Sequence, residues 1–136
     1  MKNNMGKCNL IIRPEKGYFN LNNESANGKT YTCNMLRALN STEKIRTCVL
    51  DYDYNMEEKD YIRIIRAKKW DIVMCDNFML YMTPAIEKEI VDISNEAVVM
   101  VDAKSMSRFK VKIPRNVIIN RYIGADGSEN IEVKEL

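Results

Sequence analysis

Histidine is absent from the chain, and its four cysteines (Cys8, Cys33, Cys48 and Cys75) include no Cys-x-x-Cys pair. The first absence removes the usual general base of serine and cysteine hydrolases. The two together disfavour zinc, because isolated thiolates would have to be gathered from distant segments. We read the thiols as buried and free. Any catalysis then falls to carboxylates, lysine, hydroxyls or a metal held by oxygen. An excess of one charge is also missing: 21 Lys and Arg against 19 Asp and Glu leave a formal net charge of +2. That is too little by itself to argue for nucleic acid or an anionic membrane. No run approaches the roughly 18 apolar residues needed to span a bilayer. The short run Leu10-Ile11-Ile12 does not make a signal-peptide core. The expectation is a cytoplasmic protein with no membrane span.

What is present fits one folded unit. The 136 residues are 46% hydrophobic and 29% charged, which predicts a single domain over residues 1–136. Residues 9–13 and 18–21 read as strands around a Pro14–Gly17 turn, and residues 29–39 as a helix with Met35, Leu36 and Leu39 on one stripe. Residues 46–53 form an apolar run closed by Asp51 and Asp53, followed by an amphipathic helix over 56–70. Residues 71–77 are a second such run, ending at Asp76, and 97–102 a third. Between them, Thr83 as N-cap and Pro84 at the first helical position open another helix. Residues 116–121 read as the next strand, the 124–127 stretch as a turn, and 131–133 as a strand that could close a terminal β-hairpin. Continuously apolar strands alternating with helices predict an α/β three-layer sandwich with a mainly parallel sheet. Right-handed crossovers would then gather the strand ends, with Asp51, Asp53, Asp76 and Asn120, at one rim.

The stretch joining the strand at 18–21 to the helix from 29 ends in Gly28-Lys29-Thr30. Strand, tight turn and helix N-terminus form the layout of a phosphate-binding loop, whose free N–H groups face an anion. The competing reading is a helix start with a capping glycine and a solvated lysine. Asp51 and Asp53 also read as plain helix caps, and Asn120 as a turn former.

In order and spacing, these features resemble the P-loop NTPases, and within them the deviant-Walker group of the ParA and MinD partitioning ATPases. That group carries G-K-G-G-x-G-K-[ST], a helix, and then a strand ending in D-x-D. The matching residues are Asn23-Glu24-Ser25-Ala26-Asn27-Gly28-Lys29-Thr30, the helix to Leu39, and Val49-Leu50-Asp51-Tyr52-Asp53. The Walker B strand resembles Ile72-Val73-Met74-Cys75-Asp76, and a late Asn-Arg strand resembles Val117-Ile118-Ile119-Asn120-Arg121. The resemblance spans residues 18–122 and implies a P-loop NTPase-like fold that binds ATP with Mg²⁺. It places Asn23, Asn27, Gly28, Lys29, Thr30 and Tyr31 around the nucleotide, with Lys29 on the β- and γ-phosphates. Thr30, Asp76 and Asp53 would attend the metal, Asp51 would orient the attacking water, and Asn120 would contact adenine.

The chain departs from that pattern at identifiable positions. Glu24 stands where the group has its signature lysine, and Asn23, Ser25 and Ala26 where it has glycines. Asn77 follows Asp76, where many motor and transporter ATPases have a catalytic glutamate. Two functions therefore stay open. One is a minimal Mg²⁺-dependent NTPase, with a second cation supplied by a partner subunit or by Arg108. The other is a non-catalytic interaction or regulatory module on the same scaffold. A protein partner or homodimer is compatible with both. The basic stretch Lys104, Arg108, Lys110 and Lys112 with Phe109 could grip nucleic acid, against the reading of a solvated loop.

Overall fold

Two short apolar runs, Ile72–Cys75 (β5) and Val98–Val101 (β6), are interior strands of the sheet and are buried on both faces. Such burial is what a near-continuous Val, Ile and Met sequence requires. In the computed structural model, residues 2–5, 8–21, 29–41, 45–103 and 114–136 are described. Asn23, Asn27, Gly28 and the basic stretch 104–112 lie outside them.

The other strands are β1 (Lys2–Met5), β2 (Cys8–Ile12), β3 (Gly17–Leu21), β4 (Thr47–Leu50), β7 (Arg115–Ile123) and β8 (Glu129–Glu135). They form one mixed sheet in the order β1-β2-β8-β7-β3-β6-β5-β4. Strands β7, β3, β6, β5 and β4 run parallel to their neighbours in that order. The β1–β2 and β7–β8 pairs are antiparallel, joined to each other by a parallel β2–β8 ladder. The expected mainly parallel α/β sheet is therefore present, and so is the terminal hairpin.

Alternation along each central strand feeds two cores. Phe19, Leu21, Ile72, Met74, Val98 and Met100 meet Cys33, Leu36 and Leu39 of α1 (Lys29–Ser41) on one face. Tyr18, Val73, Cys75, Val99 and Val101 meet Tyr61 and Ile65 of α2 (Glu58–Arg66) and Ile86 and Ile90 of α3 (Pro84–Ile93) on the other. Each fully buried side chain of this size contributes roughly 1.5–3 kcal/mol, so both helical layers are held mainly by packing. The α3 start is as expected: Thr83 Oγ1 accepts from the Ile86 N–H at 3.2 Å, with Pro84 at the first turn.

Several boundaries differ from the sequence reading, and β1 is an addition to it. Helix α2 is shorter at both ends. At its start, the Asp60 carboxylate reaches back to the Glu57 N–H at 2.8 Å and fixes the first turn there. At its end, the Trp70 indole N–H donates to the Ile64 and Ile65 carbonyls, taking acceptors that the next turn would need. Strand β7 runs past Asn120 to Ile123, because β8 continues to pair with it as far as Glu129. Among the described residues, no helix is long and apolar enough to cross a membrane.

Candidate functional site

The parallel strands deliver their carboxyl ends to one rim. Asp51 follows β4, Asp76 follows β5 and Asp102 follows β6, while α1 begins at Lys29 after the connection from β3. The chain leaves β3 for the far edge, β4, through α1 on one face. It steps back through β5 and β6 by way of α2 and α3 on the other. The winding direction thus reverses between the neighbours β3 and β6. In open α/β sheets, ligands bind outside the strand carboxyl ends at such a reversal.

A cluster of charge sits there. The Lys29 Nζ donates to Asp102 Oδ2 at 2.6 Å and lies 3.4 Å from Asp76 Oδ1. The second contact is not aligned as a hydrogen bond, and Asp76 Oδ1 is buried without a partner for one among the described residues. All three side chains are at least four-fifths buried (19%, 13% and 15% exposed), so solvent screens their fields less than at a surface pair. Burial pulls the Lys29 ammonium toward neutrality, but Asp102 first and Asp76 second outweigh it and hold its pKa above the usual lysine value. Asp76 is raised above the usual carboxyl value: burial is the main cause, Asp51 and Asp102 add to it, and Lys29 only partly opposes it. Proximity to one ammonium would suggest the opposite shift. The raised value is the physically consistent one, because that ammonium is directed at Asp102.

Asp51 is exposed, and its Oδ1 accepts from the Tyr52 N–H at 2.7 Å and from Asn77 Nδ2 at 3.1 Å. Asn77 can reach across because its backbone is left-handed, with φ of 50°, a conformation Asn tolerates. Two stacked tyrosines brace the same strand exit, with ring centroids 4.5 Å apart. The Tyr61 hydroxyl donates to the Asp51 carbonyl and accepts from the Asp53 N–H, and the Tyr81 hydroxyl donates to the Leu50 carbonyl. Asp53 Oδ1 accepts from the Asn55 N–H at 2.8 Å and so closes its own turn.

The remaining expected residues scatter. Thr30 is exposed in the first turn of α1. Tyr31 points toward the hairpin, where the Arg121 guanidinium lies 5.0 Å over its ring. Asn120 pairs in mid-strand with Glu132, three positions beyond Val117, the partner of Leu21 at the end of β3. That places it about 10 Å along β7 past that end. Lys29, Asp76 and, through Asn77, Asp51 are therefore brought to one rim, whereas Tyr31 is directed away from it.

Two residues of the rim were not singled out from the sequence. Asp102 is one, although a third apolar run closed by an acid was its signal. Asn20 is the other, a buried amide one residue before the end of β3. Its Oδ1 accepts from the Ala103 N–H at 3.1 Å and its Nδ2 donates to Asn116 Oδ1 at 3.5 Å. The exit of β6 is thereby tied to β3 and β7. Burial pushes the Cys33 thiol, one turn along α1 from Lys29, up to about 12, and the Cys48 thiol likewise. Neither is a nucleophile at neutral pH.

Among the described residues, no three or more Cys, Asp or Glu converge as a ready metal site. A groove of about 410 Å³ lies at the opposite rim, between the C-terminal ends of α2 and α3, lined by Ile65, Trp70 and Ile93 and by charged residues. Compared with known proteins, the chain matches no family model and no curated sequence.

Proposed function

We propose that this chain binds a nucleoside triphosphate, ATP, together with Mg²⁺ at the rim where β3 and β6 meet. The observation that carries the reading is the convergence of Lys29, from the first turn of α1, with Asp76 and Asp102 at the reversal of the sheet. A helix N-terminus with a lysine beside it suits phosphate, through free amides and an ammonium together. Mg²⁺ typically takes one or two protein carboxylates and completes its shell with phosphate oxygens and water. The buried, unbonded Asp76 Oδ1 fits that role, with Thr30 offering a hydroxyl from the adjacent turn. Bound there, the cation would neutralise phosphate charge. Lys29 would hold the terminal phosphates, and Asp51, oriented by Asn77, would accept a hydrogen bond from water at the rim.

A specific observation favours a second reading. Lys29 already has a carboxylate partner at 2.6 Å, which suits a structural staple in a non-catalytic interaction module. Calorimetry with ATP and Mg²⁺ decides between them. On the first reading the wild type gives a binding heat and a melting shift, about 2.7 kcal/mol of added stability at a hundredfold excess over Kd, and Lys29→Ala gives neither. If wild type and Asp102→Asn both show no heat and no shift, nucleotide binding is excluded and the module remains. Phosphate release with and without Asp51→Ala then separates an NTPase from a binding switch.

A further inference from the structure

Asp102 cannot move far. Its N–H donates to the Cys75 carbonyl at 2.9 Å, its carbonyl accepts from the Phe78 N–H at 3.1 Å, and the next N–H is held by Asn20. The backbone that carries the carboxylate is thus fixed to the β5 exit on one side and to β3 on the other. Lys29 is its opposite: a flexible four-carbon stem on the first residue of α1, with an ammonium that rotates freely to new acceptors. If an anion entered at the helix start, the lysine would be the partner that moves.

We propose that Asp102 is an internal competitor for the phosphates, holding Lys29 between β3 and β6 until a ligand displaces it. The proposal rests on the nucleotide reading and adds a regulatory residue to it. The contact is a short charge-assisted hydrogen bond in a site four-fifths shielded from water. Such bonds are about twice as strong as neutral ones. Breaking it leaves the Asp102 carboxylate partly desolvated with Asp76 nearby, and that penalty subtracts from ligand affinity. The ligand class this favours is a polyphosphate arriving with a divalent cation, since the cation replaces the positive charge withdrawn from the acids. A single phosphate without metal gains too little to complete the exchange.

The test uses magnesium tripolyphosphate as probe, titrated calorimetrically into the full chain as wild type, Asp102→Asn and Glu58→Gln. Asp102→Asn is near-isosteric and should bind on the order of tenfold more tightly, the scale of one lost charged hydrogen bond. Glu58→Gln removes the same charge from an exposed position at the same rim, the start of α2, and should change affinity by about twofold or less. Equal gains in the two variants, or no gain in Asp102→Asn while the wild type binds, would overturn the competition and leave nucleotide binding intact. No binding to any of the three would overturn both. A ligand-free melting cycle of Lys29→Met, Asp102→Asn and the double variant supplies a second check. A double variant that loses less than the sum of the singles supports the contact, and strict additivity refutes it.

Discussion

The two rims of the sheet treat charged side chains in opposite ways. At the rim near the strand starts, opposite charges pair in the open: Arg66 with Glu89, Lys69 with Glu96, and Arg46 with Asp71. At least one partner in each pair is half exposed. Exposed pairs contribute little, because water already solvates both ions. At the rim of strand ends, one ammonium faces Asp76 and Asp102, with Asp51 close enough to raise Asp76 further. Among the described residues, Lys29, Asp76 and Asp102 are shielded there and their charges are out of balance. An arrangement that costs stability and is kept in place by Asn20, Asn77 and two tyrosines is the better candidate for function.

The sharpest way to break this contrast is to remove the ammonium. Lys29→Met leaves Asp76 and Asp102 shielded together without a counter-charge among the described residues. Ion pairs broken on one side in buried sites lose about 3–5 kcal/mol; the residual exposure here reduces the expected loss to about 2 kcal/mol. Urea denaturation at neutral pH measures it. The loss should shrink in acid, where protonated carboxyls no longer repel. An equal loss at both pH values would mean that lost packing of the stem dominates.

Asp76→Asn should have a smaller effect of the opposite sign. The folded-state pKa of Asp76 is raised, so the folded chain binds that proton more tightly than the unfolded chain does. The native state then loses stability as pH rises from the ordinary carboxyl value near 4 through the raised one, and the full cost is present above it. Removing the charge should therefore stabilise the ligand-free protein by about 1 kcal/mol or less at neutral pH after screening, and not at all in strong acid. Stability measured across that window checks it. A destabilised Asp76→Asn at neutral pH would mean that the 3.4 Å contact with Lys29 outweighs burial.

The legibility of the two rims also differs. Local signals were enough for the α3 start at Thr83-Pro84 and for the apolar runs that became β5 and β6. They were also enough for the acids at their ends, because each rests on residues adjacent in sequence. The pairing of Lys29 with Asp102 was not legible, since it depends on β6 inserting between β3 and β5, and strand order is set by packing across the whole sheet. The mid-strand position of Asn120 has the same origin: only the long β8 partner carries β7 past it. Asp53 illustrates a local ambiguity. An acid a few residues before a helix suits a cap, a metal ligand or a turn, and the side chain chose the Asn55 N–H because α2 starts only at Glu58.

The smallest expected effect lies at the other rim and serves as the control for the rest. The Lys69 ammonium is 3.8 Å from the Glu96 carboxylate, and both side chains are about two-thirds exposed (70% and 68%). Lys69→Ala should leave the melting temperature unchanged within error and leave any nucleotide affinity untouched. Raising ionic strength should change the variant and the wild type alike, because the screened attraction was already near zero. If Lys69→Ala instead lowers stability as much as Lys29→Met, shielding is not what distinguishes the rims. The groove beside Trp70 would then deserve the functional attention given to the strand ends. If it has no effect while Lys29→Met has a large one, the difference between the two lysines comes from their surroundings: one in open water, the other shielded between two carboxylates.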